Sequence, residues 1–217
     1  MILAAGRGER MRPLTDSLPK PLLEVNEKPL IVYHIEKLAD AGFEEIIINI
    51  AHLGYKIPES LGDGSAWNVK ITYSDEQESG ALESAGGIIK ALPLLGEETF
   101  FLVNGDVFCD YAFNSKFDLK ESLAHLILVK NPEHNLNGDF GLSDACVLND
   151  DKVKYTFSGM GYYNPKLFEG LSVEKLALAP ILREKIEKNQ VSGELFDGEW
   201  RDVGTPQRLR EINERSR

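Results

Sequence analysis

Along the first 130 residues, short apolar runs alternate with stretches in which apolar positions recur every three or four residues. The runs at 2–5, 46–50, 69–73, 100–103 and 126–129 are four or five residues long, rich in β-branched or aromatic types, and bounded by Gly, Asn or Asp. Such runs predict strands buried on both faces. Between them, Leu30, Tyr33, Leu38 and Ala41 share one helical face, and Gly42 follows as a stop. A second helix is predicted over 83–92, ended by Pro93. Strand and helix in alternation imply parallel crossovers, hence an α/β sheet with helices on both faces. From 138 to 163 the pattern changes to short strands with a turn at Asn149-Asp150-Asp151, which predicts hairpins or an antiparallel excursion. Residues 178–188 return to a helical period, and a polar helix is expected from Leu209 onward. With no repeat and no linker, one domain over 1–217 carrying an inserted lobe fits best. Gly6 arrives so early that the first strand is expected to begin inside a longer natural one.

Composition narrows the function classes. Hydrophobic residues at 42% and charged residues at 27% place the chain among globular proteins. A net charge of −11 argues against nucleic-acid partners and anionic membrane surfaces, since both need a broad basic face. No apolar run approaches the roughly 18 to 20 residues of a membrane span, and no leader pattern opens the chain, so a cytoplasmic protein is expected. Cys109 and Cys146 are too few and too far apart for a disulfide framework, which favours a reducing compartment and two small buried side chains. His34, His52, His125 and His134 show no ligand spacing and are expected to be core or surface histidines.

The charge is unevenly spread. Residues 1–20 hold Arg7, Arg10, Arg12 and Lys20 against Glu9 and Asp16, a net of +2, so the other 197 residues carry −13. These cations surround Gly6 and Gly8 immediately after the first strand, where backbone N–H groups can approach phosphate oxygens because no Cβ intervenes. Two familiar phosphate loops are excluded. A dinucleotide fingerprint would need a third glycine where Met11 stands, and no Gly-Lys-Ser or Gly-Lys-Thr exists for a Walker loop. What remains is a long loop in which Pro19 and Pro21 brace Lys20, suited to a polyphosphate at the carboxyl end of a parallel sheet. Asp106, after the strand at 100–103 and the turn Asn104-Gly105, falls at the same end of the sheet.

The sequence Leu3-Ala4-Ala5-Gly6-x-Gly8-x-Arg10-Met11-x-Pro13-Leu14-Thr15, with Pro19-Lys20-Pro21 and Lys28-Pro29-Leu30-Ile31, resembles the signature of the sugar-1-phosphate nucleotidyltransferases. The resemblance extends through Ala85-Gly86-Gly87, Asn104-Gly105-Asp106, Phe157-Ser158-Gly159 and Trp200-Arg201-Asp202-Val203-Gly204-Thr205. It implies a Rossmann-like, mixed but mostly parallel sheet flanked by helices, with about 1–110 binding the nucleotide and about 111–217 forming a small sugar-binding lobe that returns to the sheet. The implied reaction joins UTP to a sugar 1-phosphate, with N-acetylmuramate 1-phosphate as the expected acceptor, and releases pyrophosphate. The alternatives are transfer from GTP, dTTP or CTP to a different sugar phosphate or phosphocholine, and a non-catalytic nucleotide-sensing homologue.

By the same resemblance Arg10 and Lys20 are catalytic, and Leu3, Ala5, Gly6, Gly8 and Ser84 contact the nucleotide. Asn104, Asp139 and Ser158 contact the sugar, and Asp106 and Asp202 hold Mg²⁺. Lys130, Lys152 and Lys154 are open choices for a further grip on the sugar phosphate, and Asp110 is expected to serve the surface. Ending in one polar helix after Thr205, without hexapeptide repeats, the chain is expected to be a single-function monomer.

Overall fold

The computed structural model describes residues 1–78 and 80–215. In chain order the first seven strands are β1 (Ile2–Leu3), β2 (Glu24–Val25), β3 (Lys28–Pro29), β4 (Glu45–Ile50), β5 (Lys70–Asp75), β6 (Phe100–Asn104) and β7 (Val107–Cys109). The rest are β8 (Ala124–Val129), β9 (Gly141–Ser143), β10 (Cys146–Leu148), β11 (Thr156–Tyr163), β12 (Val191–Phe196) and β13 (Trp200–Asp202). The helices are α1 (Leu30–Asp40), α2 (Lys56–Leu61), α3 (Glu83–Leu95), α4 (Leu178–Glu187) and α5 (Pro206–Arg215).

Nine strands form one sheet in the order β5-β4-β1-β6-β11-β8-β12-β10-β9, while β7 with β13 and β2 with β3 make two-stranded ribbons. The expected α/β, mostly parallel architecture is present. β1 lies parallel to both β4 and β6, with Ile2 opposite Ile48 on one side and Val103 on the other. The chain therefore runs outward from β1 through β4 to β5 and returns by α3 to the far side of β1. That reversal of strand order leaves a crevice at the carboxyl ends of β1, β4 and β6, which is where open α/β sheets bind ligands.

Burial on both faces follows from the strand patterns. Ile46, Ile48 and Ile50 of β4 enter one core with Ile31, Ile35, Val103 and Tyr162, whereas Ile47 joins Ile88, Leu102, Leu126 and Leu182 on the other side. Helix α1 ends as its sequence predicts: Gly42 takes φ 83, and its N–H donates to Ala39 at 2.9 Å.

Several expectations need correction. Pro93 does not end α3, which continues to Leu95 and closes where the Gly96 N–H meets the Leu92 carbonyl at 3.2 Å. A proline near a helix end sacrifices one N–H bond but does not forbid the last turn. The hairpin turn lies at Asp144 and Ala145, both with positive φ, rather than at 149–151. β12 escaped the pattern reading because Gly193 and the polar Ser192 and Glu194 interrupt its apolar positions, yet it pairs in parallel with all of β8. Helix α5 starts earlier than expected, at Pro206, and residues 216–217 of the expected terminal helix lie outside the described residues. Cys109 is buried, but Cys146 at the start of β10 is exposed. No described helix is long and apolar enough to cross a membrane.

Candidate functional site

A cleft of about 340 Å³ opens at the carboxyl ends of β1, β4 and β6. Its floor is the glycine-rich loop. Gly8 takes φ 66, and a Cβ there would lie 2.9 Å from Thr15 Cγ2. Only a glycine lets the loop turn back on itself at that point. The turn is held by the Met11 N–H and the Thr15 hydroxyl, both donating to the Gly8 carbonyl at 2.8 Å, and by Met11, which is fully buried against Val25, Leu30 and Val203.

Of the residues expected to touch nucleotide or metal, Leu3, Ala5, Gly6, Gly8, Arg10, Lys20, Ser84 and Asp106 all line this cleft, and so does Asn104 from the sugar set. Arg7 and Arg12 face solvent in ion pairs with Glu9 and Asp16. The short 3₁₀ turn Lys20–Leu22 aims the Lys20 ammonium at Oδ2 of Asp106, with which it forms an ion pair. Lys20 is largely buried, so the braced lysine predicted between two prolines points inward.

Asp106 and Asp202 approach the site from one ribbon. Val107 of β7 sits opposite Asp202 of β13, and the Val203 N–H donates to the Asp106 carbonyl at 2.7 Å. Oδ1 of Asp202 receives Nη1 of Arg208 at 2.5 Å, and His134 Nε2 lies 3.3 Å from the same oxygen. Arg10 closes the far side: a Cβ on Gly204 would stand 2.9 Å from Asp202 Oδ2 and 3.4 Å from Arg10 Nη2. Among the described residues no group of three or more His, Cys, Asp or Glu side chains could hold a metal ion unaided. The donor set is two carboxylates, each with one oxygen already paired to a basic group. That suits a Mg²⁺ ion arriving with a nucleotide, since Mg²⁺ takes one or two carboxylates and completes its shell with phosphate oxygens and water.

The sugar set divides. Asn104 faces the cleft and packs on Gly159, whose φ of 79 and missing Cβ admit its amide: a Cβ there would fall 2.4 Å from Asn104 Nδ2. Ser158 is 1% exposed, and its hydroxyl donates to the Ile127 carbonyl at 2.6 Å while accepting the Met160 N–H at 3.1 Å. It shapes the β11 irregularity between Phe157 and Met160. Asp139 accepts the Phe157 N–H at 2.8 Å and the Asn135 amide at 3.2 Å. Neither Asp139 nor Ser158 lines the cleft. Lys130 pairs with Asp197 and Lys154 with Asp150, while Lys152 and Asp110 are exposed. Ser84 accepts the Leu178 N–H at 3.0 Å, so it joins α3 to α4 as well as facing the cleft.

Sequence reading missed a buried polar relay that links the end of β1, β4 and the segment leading into α3. The Ala4 N–H donates to Asn49 Oδ1 at 2.7 Å, Asn49 Nδ2 donates to Glu76 Oε1 at 2.7 Å, and Glu76 Oε2 accepts the Leu82 N–H at 2.9 Å. Glu76 is fully buried. Gly87 makes room for this relay, because a Cβ there would stand 2.6 Å from Glu76 Oε1. The available signal was a polar Asn49 near the end of an otherwise apolar strand.

A family model described as nucleotidyl transferase matches residues 1–217. The chain belongs to the nucleotidyl transferase family. This nucleotidyl transferase is 52% identical over 225 residues to the N-acetylmuramate alpha-1-phosphate uridylyltransferase of Neisseria meningitidis serogroup B, a match covering 97% of this chain and 95% of that protein. It is 32% identical over 186 residues to a UTP–glucose-1-phosphate uridylyltransferase of Synechocystis, which covers 80% of this chain and 46% of the relative. Among solved structures, HddC from Yersinia pseudotuberculosis superposes with a TM-score of 0.81 at 21% identity, covering 100% of this chain and 98% of the other. The CTP:phosphocholine cytidylyltransferase LicC of Streptococcus pneumoniae gives 0.74 at 22% identity, covering 100% and 97%. At such identities the structures establish the shared fold.

Proposed function

We propose that this nucleotidyl transferase moves a uridylyl group from UTP to N-acetylmuramate 1-phosphate, in the cytoplasm and as a monomer, giving UDP-N-acetylmuramate and pyrophosphate for reuse in cell-wall synthesis. The observation that carries the reading is the convergence of Arg10, Lys20 and Asp106 over a glycine loop in one cleft, with Asp202 just beyond its rim at Gly204. The extended likeness to the Neisseria uridylyltransferase supports the choice of base and sugar.

The chemistry brings two polyanions together. A phosphate oxygen of the sugar attacks the α-phosphorus in line and pyrophosphate leaves on the opposite side. The nucleophile is already ionised near neutral pH, so no protein base is required. Arg10 and Lys20 offset the charge that gathers on the α-phosphate and the leaving pyrophosphate, and Lys20 is held in place by Asp106 before the substrates arrive. The N–H groups around Gly6 and Gly8 cradle phosphate oxygens, while Leu3, Ala5 and Ser84 border the nucleoside. Asp106 and Asp202 would hold Mg²⁺, which when bound supplies positive charge to the same phosphates. On the acceptor side Asn104 faces the sugar, and Asp139 and Ser158 shape the backbone that borders it.

The test of the donor is pyrophosphate release with N-acetylmuramate 1-phosphate as acceptor and UTP, GTP, dTTP or CTP in turn. UTP is expected to give the highest kcat/KM. A higher value with another triphosphate would overturn the uridylyl assignment.

A further inference from the structure

Asp202, beside the cleft at Gly204, is approached by two basic side chains at the same oxygen. Arg208 Nη1 and His134 Nε2 both meet Oδ1, and among the described residues no hydrogen-bond or ion-pair partner reaches Oδ2. Neither group is there by local necessity. Arg208 stands in the first turn of α5, the end of a helix where a cation is disfavoured by the backbone dipole. The N-terminus of that helix is already served by Thr205, whose hydroxyl lies 3.3 Å from the Arg208 N–H.

His134 lies in the 130–140 loop, which is fixed without it. Asn131 donates to the Lys154 carbonyl at 2.9 Å and to the Leu136 carbonyl at 3.1 Å, and it accepts the Thr156 hydroxyl at 2.9 Å. Asn135 and Asp139 then tie the loop to the start of β11. Gly138, at φ 62, permits the closure, since a Cβ there would fall 2.8 Å from the Lys154 carbonyl carbon. Of the described residues in this pinned loop, His134 is the one whose side chain reaches Asp202.

We propose that His134 and Arg208 are positioning residues that clamp Oδ1 of Asp202, so that Oδ2 is the oxygen offered to the metal–nucleotide complex. The proposal rests on the reading of Asp202 as a metal ligand. Carboxylates that bind metals are themselves held by hydrogen bonds, and loss of such a partner typically lowers metal affinity about 10- to 100-fold. Asp139, expected from sequence to touch the sugar, acquires a different part here: it is a peg of the loop that delivers His134.

The experiment measures UTP affinity by calorimetry with Mn²⁺ and in EDTA, with no acceptor present, for the wild type and for Asp202→Ala, His134→Ala, His134→Gln and Arg208→Ala. The ratio of the two affinities reports the metal alone. Asp202→Ala is expected to abolish the Mn²⁺ enhancement. His134→Ala and Arg208→Ala should each reduce it about 10-fold or more with unchanged affinity in EDTA and an unmoved melting temperature. His134→Gln should restore it, because the Gln amide presents a donor close to the position of Nε2. If Asp202→Ala retains the enhancement, the metal reading of Asp202 fails. If Asp202→Ala loses it while His134→Ala and Arg208→Ala keep it, the clamp is refuted and the metal reading stands. Weakened binding in EDTA for Arg208→Ala would make Arg208 a direct phosphate contact and overturn its share of the clamp.

Discussion

Val203 donates its backbone N–H to the carbonyl of Asp106 at 2.7 Å, locking the end of one strand to the turn before its neighbour. Two carboxylates nearly a hundred residues apart in sequence are thereby carried on one ribbon, β7 with β13, whose register puts Asp202 opposite Val107. Each aspartate already holds a basic side chain, Lys20 on Asp106 and Arg208 on Asp202. The site therefore contains its own counter-charges before any nucleotide or metal is present.

Removing one member of this arrangement should be felt in turnover more than in folding. Asp106→Ala and Lys20→Ala are each expected to lower kcat by at least about two orders of magnitude, in line with loss of a preorganised charge. Both variants should remain folded, because these side chains line the cleft and belong to none of the hydrophobic clusters. Steady-state pyrophosphate release beside a thermal melt checks both halves, and full activity in either variant would refute the assignment.

The buried relay predicts an effect that spreads to the glycine-rich loop after β1 and to the segment leading into α3. Asn49→Ala removes the acceptor of the buried Ala4 N–H and one donor to Glu76, at a cost of roughly 1–3 kcal/mol. Denaturant unfolding should show that loss, with UTP binding weakened as well. Gly87→Ala should act in the same direction by forcing a methyl group against Glu76 and Asn49, costing about 1–3 kcal/mol through overpacking. Unchanged stability in both variants would remove the relay from the account.

His34 sets a pH signature. It is fully buried on α1 beside Phe113, and burial lowers its pKa from 6.5 to about 4, with Lys37 lowering it further and the Val107 backbone and Asp106 opposing. His34 is thus a core histidine, as expected, and neither ring nitrogen reaches a partner at full hydrogen-bond geometry. A depressed folded-state pKa means that the unfolded chain binds the proton first. Stability is then complete above about pH 6.5 and declines as pH falls toward about 4, by up to roughly 3 kcal/mol. His34→Phe should flatten that part of a plot of melting temperature against pH. An identical acid slope in the variant would contradict the assignment.

How much was legible in the sequence differs between the fold and the site. The buried parallel strands were readable because residues such as Ile46 to Ile50 lie in a nearly unbroken apolar run, and α1 because its apolar face and Gly42 agree. β12 was not, since Gly193 removes an apolar position where a Cβ would have struck Val147 Cγ2 at 2.7 Å. That the glycine loop and Asp106 would line one cleft was readable because each follows directly on a strand's end, and Lys20 was readable because Pro19 and Pro21 flank it. Ser158 and Asp139 carry hydroxyl and carboxylate groups that satisfy neighbouring backbone, and nothing in a linear motif separates that role from contact with a sugar. Asn49, Glu76, His134 and Arg208 matter through partners 6 to 68 positions away, which pattern alone does not connect.

The most direct test of the central claim is the product formed from UTP and N-acetylmuramate 1-phosphate with Mg²⁺, identified by mass, beside N-acetylglucosamine, glucose and mannose 1-phosphates as acceptors. UDP-N-acetylmuramate should accumulate in step with pyrophosphate and with the highest kcat/KM of the panel. No such product, or a higher kcat/KM for another acceptor, would contradict the account.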